Sequence, residues 1–136
     1  IELCDFFFMK NMPYTEELFS PKSMVPEKAV YILQGILLYM EEKESWGREG
    51  IEAASRHVSE VFGVHHKKIV MPLLFASLMG KPKGPPLFDS VEILGKDVTR
   101  ARLLEAIAFC GGISKKKMSA LTKAWQAGDC KALVEG

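Results

Sequence analysis

Apolar residues recur along this chain at helical spacing, and no stretch alternates as a strand would. Val30, Leu33, Leu37 and Met40 fall on one stripe, widened by Ile36 and Leu38, which predicts a helix over 27–44. Pro26 suits its first position, where the missing N–H would find no intrahelical partner anyway. Gly35, mid-helix, costs about 1 kcal/mol relative to Ala and suggests close approach of a second helix. Trp46-Gly47 reads as a corner. Ile51, Ala54, Val58, Val61 and Phe62 then define a helix over 50–62, stopped by Gly63. A third helix, 70–79, contains Pro72, which a helix accepts only in its first turn or with a kink. Its regular start is therefore expected near Met71, with residues 65–70 as a looser lead-in. Short helix 87–94 stops at Gly95-Lys96. Asp97 is a candidate N-cap for 98–109, where Arg100, Leu103, Leu104 and Ile107 continue the pattern. Ser114 can cap a helix over 115–127, with Met118, Leu121 and Trp125 on one face, Gly128 beyond it and Asp129 opening a last turn. The fold class is all-α, a helical bundle or cage.

Residues 1–9 read as the last turns of a helix, with Leu3, Phe6 and Phe7 at helical spacing, so the chain is expected to be a piece of a longer protein. Asn11, Pro13, Pro21 and Pro26 break up the next stretch, where only residues 15–19 suit a helical turn. Three parts follow: 1–20 as the end of a preceding helical subdomain, 21–109 as a distal helical subdomain, and 110–136 as a basic helical extension. The extension begins at Gly111-Gly112 and is expected to be separable.

At 136 residues, 48% hydrophobic and 26% charged, the chain can bury a core without staples. Cys4, Cys110 and Cys130 lack metal-ligand spacing and are odd in number, which fits a reduced, cytoplasmic setting. Residues 32–40 are apolar but interrupted by Gln34 and too short to span a bilayer, so no membrane association is expected. The net charge of +1 conceals an asymmetry. Residues 1–60 hold 6 basic and 11 acidic residues, whereas 61–136 hold 12 and 6. A polyanion-facing half is one reading, and two ordinary solvated surfaces are the other.

Candidate chemistry concentrates in residues 71–96, MPLLFASLMGKPKGPPLFDSVEILGK. An apolar helix breaks at Gly80, crosses Lys81-Pro82-Lys83-Gly84-Pro85-Pro86, and re-enters a helix at Leu87. No acid stands between Glu60 and Asp89, while Lys67, Lys68, Lys81 and Lys83 all do. A stiff basic loop of this kind offers backbone and charge to a phosphate chain, and prolines reduce its ordering cost. A plain connector between helices is the alternative.

The run Met71-Pro72-Leu73, Gly80, Gly84-Pro85-Pro86-Leu87-Phe88 and Ile93-Leu94-Gly95-Lys96 resembles the C-terminal anticodon-binding region of bacterial-type glutamyl-tRNA synthetases. Asp5-Phe6-Phe7-Phe8, Trp46 with Glu49, Ile51 and Glu52, and Arg102-Leu103 through Ile107 extend the likeness over roughly 1–109. The resemblance implies recognition of a tRNA anticodon loop, on glutamate tRNA or glutamine tRNA. It implies base contacts at the helix before the Gly break and at Gly84, Pro85 and Leu87, flanked by Lys81 and Lys83. Lys67, Lys68 and Pro86 complete the candidate RNA-binding set. The family usually carries an Arg where this chain has Leu74, counting from Pro72, or Phe75, counting back from Gly80. Phe75 can stack on a base or belong to the core.

The family's ATP- and magnesium-dependent glutamylation resides in a separate N-terminal domain, whose motifs are not found in this sequence. Lys117-Met118-Ser119 echoes one of them but falls inside a predicted helix. His57, His65 and His66 are joined by no ligand-spaced Cys or carboxylate. The chain itself is therefore expected to be non-catalytic, without cofactor or metal, and monomeric. A helical protein–protein docking module is the second reading.

Overall fold

Each apolar stripe becomes one buried helix face. The computed structural model describes residues 14–21, 24–81 and 86–134, and every regular element among them is helical. The expected helix end over 1–9 lies outside them. A 3-10 turn, Glu16–Phe19, leads to α1, Pro26–Lys43, and α2, Arg48–Phe62. A π-helical turn, His66–Val70, runs directly into α3, Met71–Met79. Then come α4, Leu87–Phe109, α5, Lys115–Ala127, and α6, Lys131–Val134. No helix among the described residues is long and apolar enough to cross a membrane.

Two breaks are sharper than the sequence indicates. The predicted helices 87–94 and 98–109 are two arms of α4, separated by the single non-helical residue Gly95 (φ 80°, ψ 173°). Asp97 therefore stands in the first turn of the second arm and is not its cap, because glycine already supplies the break. The looser lead-in to α3 is the π turn. Its width shows in the Val70 N–H donating to the His65 carbonyl, five residues back, at 3.4 Å. Pro72 is the second residue of α3, directly after that turn, so the wider π turn stands where the proline interrupts the regular hydrogen-bond pattern.

Phe19, Ile32, Leu33, Ile36, Leu37, Met40, Ile51, Phe62, Leu73, Leu74, Leu78 and Met79 fill one core. α1 packs on α2, and α4 lies against α1, α2 and α3. The extension 110–136 contributes to the same core. Leu121 and Cys130 are fully buried, and the Cys130 N–H donates to the Val61 carbonyl at 2.7 Å. Gly35 explains how the extension seats so closely. A Cβ there would stand 3.1 Å from Phe62 and 3.2 Å from Trp125, so any larger residue would require both rings to shift by a few tenths of an ångström. His57 packs between the Tyr39 and Trp125 rings, 5.1 and 5.2 Å away, and has a packing role.

Candidate nucleic-acid interface

The connection between α3 and α4 is held at both ends. Gly80 closes α3 in the left-handed region (φ 66°), which removes any Cβ penalty at the break. The Arg102 guanidinium, only 4% exposed, donates to the Leu78 carbonyl at 2.7 Å. A cation at the carbonyl end of a helix also meets the favourable end of its dipole. Tyr14 donates its hydroxyl to the Ser77 carbonyl at 2.6 Å and lies 3.1 Å from that of Arg102, stitching the two helices together. Burial raises the Tyr14 pKa and lowers that of Arg102, with Glu105 next in raising the former. At the far end the Pro86 carbonyl accepts from both the Ser90 N–H and the Ser90 hydroxyl, at 3.0 and 2.9 Å. Arg48 pairs with Asp89 at 3.3 Å, and its N–H donates to Glu92 at 3.1 Å, fixing the first turn of α4 against the start of α2.

At the other end of α3 the chain forms a groove of about 550 Å³, lined by Arg56, His65, His66, Lys67, Met71, Pro72 and Phe75. Its apolar lining is made by Met71, Pro72 and Phe75, all half-buried. Cationic groups come from two elements, Arg56 from α2 and Lys67 from the π turn. His65 caps that turn, its Nδ1 accepting from the Lys68 N–H at 3.2 Å, which leaves the proton on Nε2. The Ser55 hydroxyl lies 2.7 Å from the Glu52 carbonyl and 2.9 Å from the His66 Nε2, which ties the His66 ring to α2. Burial, and secondarily the nearby Arg56, lowers the His66 pKa and so favours its neutral form.

The sequence-derived candidates divide on these facts. Lys67 and Phe75 meet in the groove, and Lys68 is exposed beside it. Lys81 is exposed just past Gly80, and Pro86 is exposed at the head of α4. Lys83, Gly84 and Pro85 lie outside the described residues. Two of the candidates differ from these in exposure. Leu74 is fully buried and Leu87 is 3% exposed. Both side chains face the core, and helical periodicity turns Leu74 onto the stripe of Leu73 and Leu78. Arg56, His65, Met71 and Pro72 were not among the candidates. In sequence, Arg56 reads as the solvated partner of Glu52 one turn back, and that pair exists at 3.5 Å. Nothing in the spacing says that a groove adjoins it.

Comparison with known proteins follows the same lines. The family model described as the anticodon binding domain matches residues 1–107. The glutamate–tRNA ligase of Protochlamydia amoebophila is 52% identical over 126 residues, 93% of this chain and 25% of that protein. That of Chlamydia muridarum is 41% identical over the same shares, and that of Chlamydophila psittaci 42% identical over 87% of this chain and 23% of its own. The likeness to these ligases therefore reaches past residue 107 into the extension. The chain spans about a quarter of the length of the curated relatives it matches. Buried core, clamped helix break and matched residues agree, and the chain belongs to the anticodon binding domain family.

Proposed function

We propose that this chain recognises the anticodon loop of a tRNA as part of a glutamate–tRNA ligase. The observation that carries the reading is the basic, acid-free segment around α3. Lys67 and Lys68 stand at one end, Lys81 at the other, and half-buried Phe75 lies between them. An anticodon loop presents unstacked bases and crowded phosphates, and proteins read such loops by stacking, base-edge hydrogen bonds and cationic side chains. Glutamate tRNA is the first candidate and glutamine tRNA the second. Glutamylation with ATP and magnesium would belong to the rest of the ligase, acting in the cytoplasm, and this chain would act as a monomer.

Changing Lys81 and Lys83 to Ala tests it. Binding of an anticodon stem-loop should weaken, and its log–log dependence on salt should flatten by about 0.7 for each phosphate no longer neutralised. The fold should be unaffected, because an exposed lysine such as Lys81 contributes little to stability. Parent-like affinity with an unchanged salt slope would reduce the loop to a connector. Binding by the parent chain that ignores salt would favour apolar docking instead.

A further inference from the structure

Given anticodon binding as proposed above, we infer that Glu92 is a positioning residue for it. Its carboxylate caps the start of α2 from α4 and so fixes the arm that carries the far end of the Gly80 connection. The arm is the first part of α4, residues 87–94. It begins directly after Pro86, where that connection ends, and it stops at the joint of Gly95. A Cβ on Gly95 would meet nothing within 4 Å, so packing does not fix the angle of the joint. The arm meets the core through Leu87 and Val91, both buried and one turn apart on a single line. Apolar burial is non-directional, so it sets the depth of the arm and constrains its roll poorly.

The other side of the arm supplies the stop. Asp89 and Glu92, three residues apart, share a face, and both meet Arg48 at the start of α2. The Arg48 N–H, which donates to Glu92 Oε1 at 3.1 Å, is one of the donors a helix cannot satisfy from within. Gly47, the residue before it, brings no side chain to that task. A carboxylate also suits the positive end of the helix dipole. Gly47 makes the room for it. A Cβ there would stand 2.9 and 3.0 Å from the two carboxylate oxygens of Glu92. The Gly47 backbone is extended (φ −96°, ψ −159°) and suits any residue, so what glycine serves there is the approach of the carboxylate.

The test compares Glu92→Ala, Gly47→Ala, the two together, and Glu92→Gln. Binding of an anticodon stem-loop is measured well below the unfolding midpoint, where losing one exposed cap leaves the chain folded. Each single change to Ala should weaken binding about fivefold, with the salt slope unchanged because no phosphate contact is lost. The direction is informative, since loss of an acidic side chain would by charge alone tighten binding to RNA. The double variant should bind no more weakly than either single one, because both changes remove the same cap. Glu92→Gln keeps an oxygen acceptor for the Arg48 N–H and should restore most of the parent affinity. Parent-like or tighter binding by Glu92→Ala would overturn the proposal and leave anticodon binding standing. So would effects that add in the double variant, or a loss of affinity matched by a loss of folded chain. Failure of the parent chain to bind any stem-loop would overturn both.

Discussion

Two basic stretches of this chain are built alike and do different things. In residues 65–68 and in 114–117 a side chain caps the backbone: His65 Nδ1 accepts from the Lys68 N–H, and Ser114 Oγ from the Lys117 N–H, each at 3.2 Å. Both place lysines in a first helical turn, where the dipole disfavours them by several tenths of a kcal/mol each, about 0.3–1. Beyond the first, the helix face opens onto the groove of Arg56 and Phe75. Beyond the second, it closes. Lys117 lies 6.0 Å over the Tyr31 ring, Leu121 is buried, and the Trp125 Nε1–H donates to Glu42 at 3.2 Å. Positive charge is common to both, so charge alone does not mark the site. The difference is whether the adjoining apolar face is already covered by the protein itself.

The largest effect should come from uncovering that closed face. Removing residues 113–136 strips Leu121, Trp125 and Cys130 from the core and exposes the Gly35 surface to water. Cooperative unfolding should be lost or shifted by many degrees. Leu121→Ala alone should cost about 2–5 kcal/mol in chemical denaturation, as for other fully buried leucines. A deletion that unfolds like the parent would show that the extension sits on a finished core.

Arg102→Met comes next. It keeps most of the apolar stem and removes a buried charge-assisted bond to the end of α3, a loss of about 1.5–3 kcal/mol. Stem-loop affinity should fall with stability, because the connection after Gly80 loses its clamp. Unchanged stability would mean that Tyr14 holds the helix end without it.

Smaller still is a pH effect on the open side. The His66 pKa is lowered from 6.5 in the folded chain, so its neutral ring favours the native state. That contribution is complete above pH 6.5 and is lost as pH falls through the lower folded value. The denaturation midpoint should therefore drop between pH 7 and pH 5, and His66→Asn should reduce the drop. An equal drop in both proteins would assign it to other groups.

Much of the fold was legible in the residues. Proline and glycine marked the helix ends, and the stripe of Leu33, Leu37 and Met40 predicted a buried face. Gly35 correctly suggested a close approach. The sequence could not name what approached, since Met118, Leu121 and Trp125 define a sticky face without defining its partner. The site was half legible for a related reason. Lysines and the Gly-Pro run can be read locally, and Lys67 and Phe75 do meet in the groove. Arg56 was missed because its nearest sequence signal, Glu52 at four residues, is that of any solvated helix pair. Leu74 and Leu87 turn out to be buried, because a family position carries no information on which way its side chain points in this chain.

Nucleic acid should meet the open basic side of this molecule and not the closed one. Chemical-shift mapping of the labelled chain against an anticodon stem-loop tests that most directly. Perturbations are predicted at Arg56, His66, Lys67, Phe75 and Lys81, with Lys115, Lys116 and Trp125 unmoved. Perturbations centred on residues 115–127, with Arg56 and Phe75 silent, would contradict it.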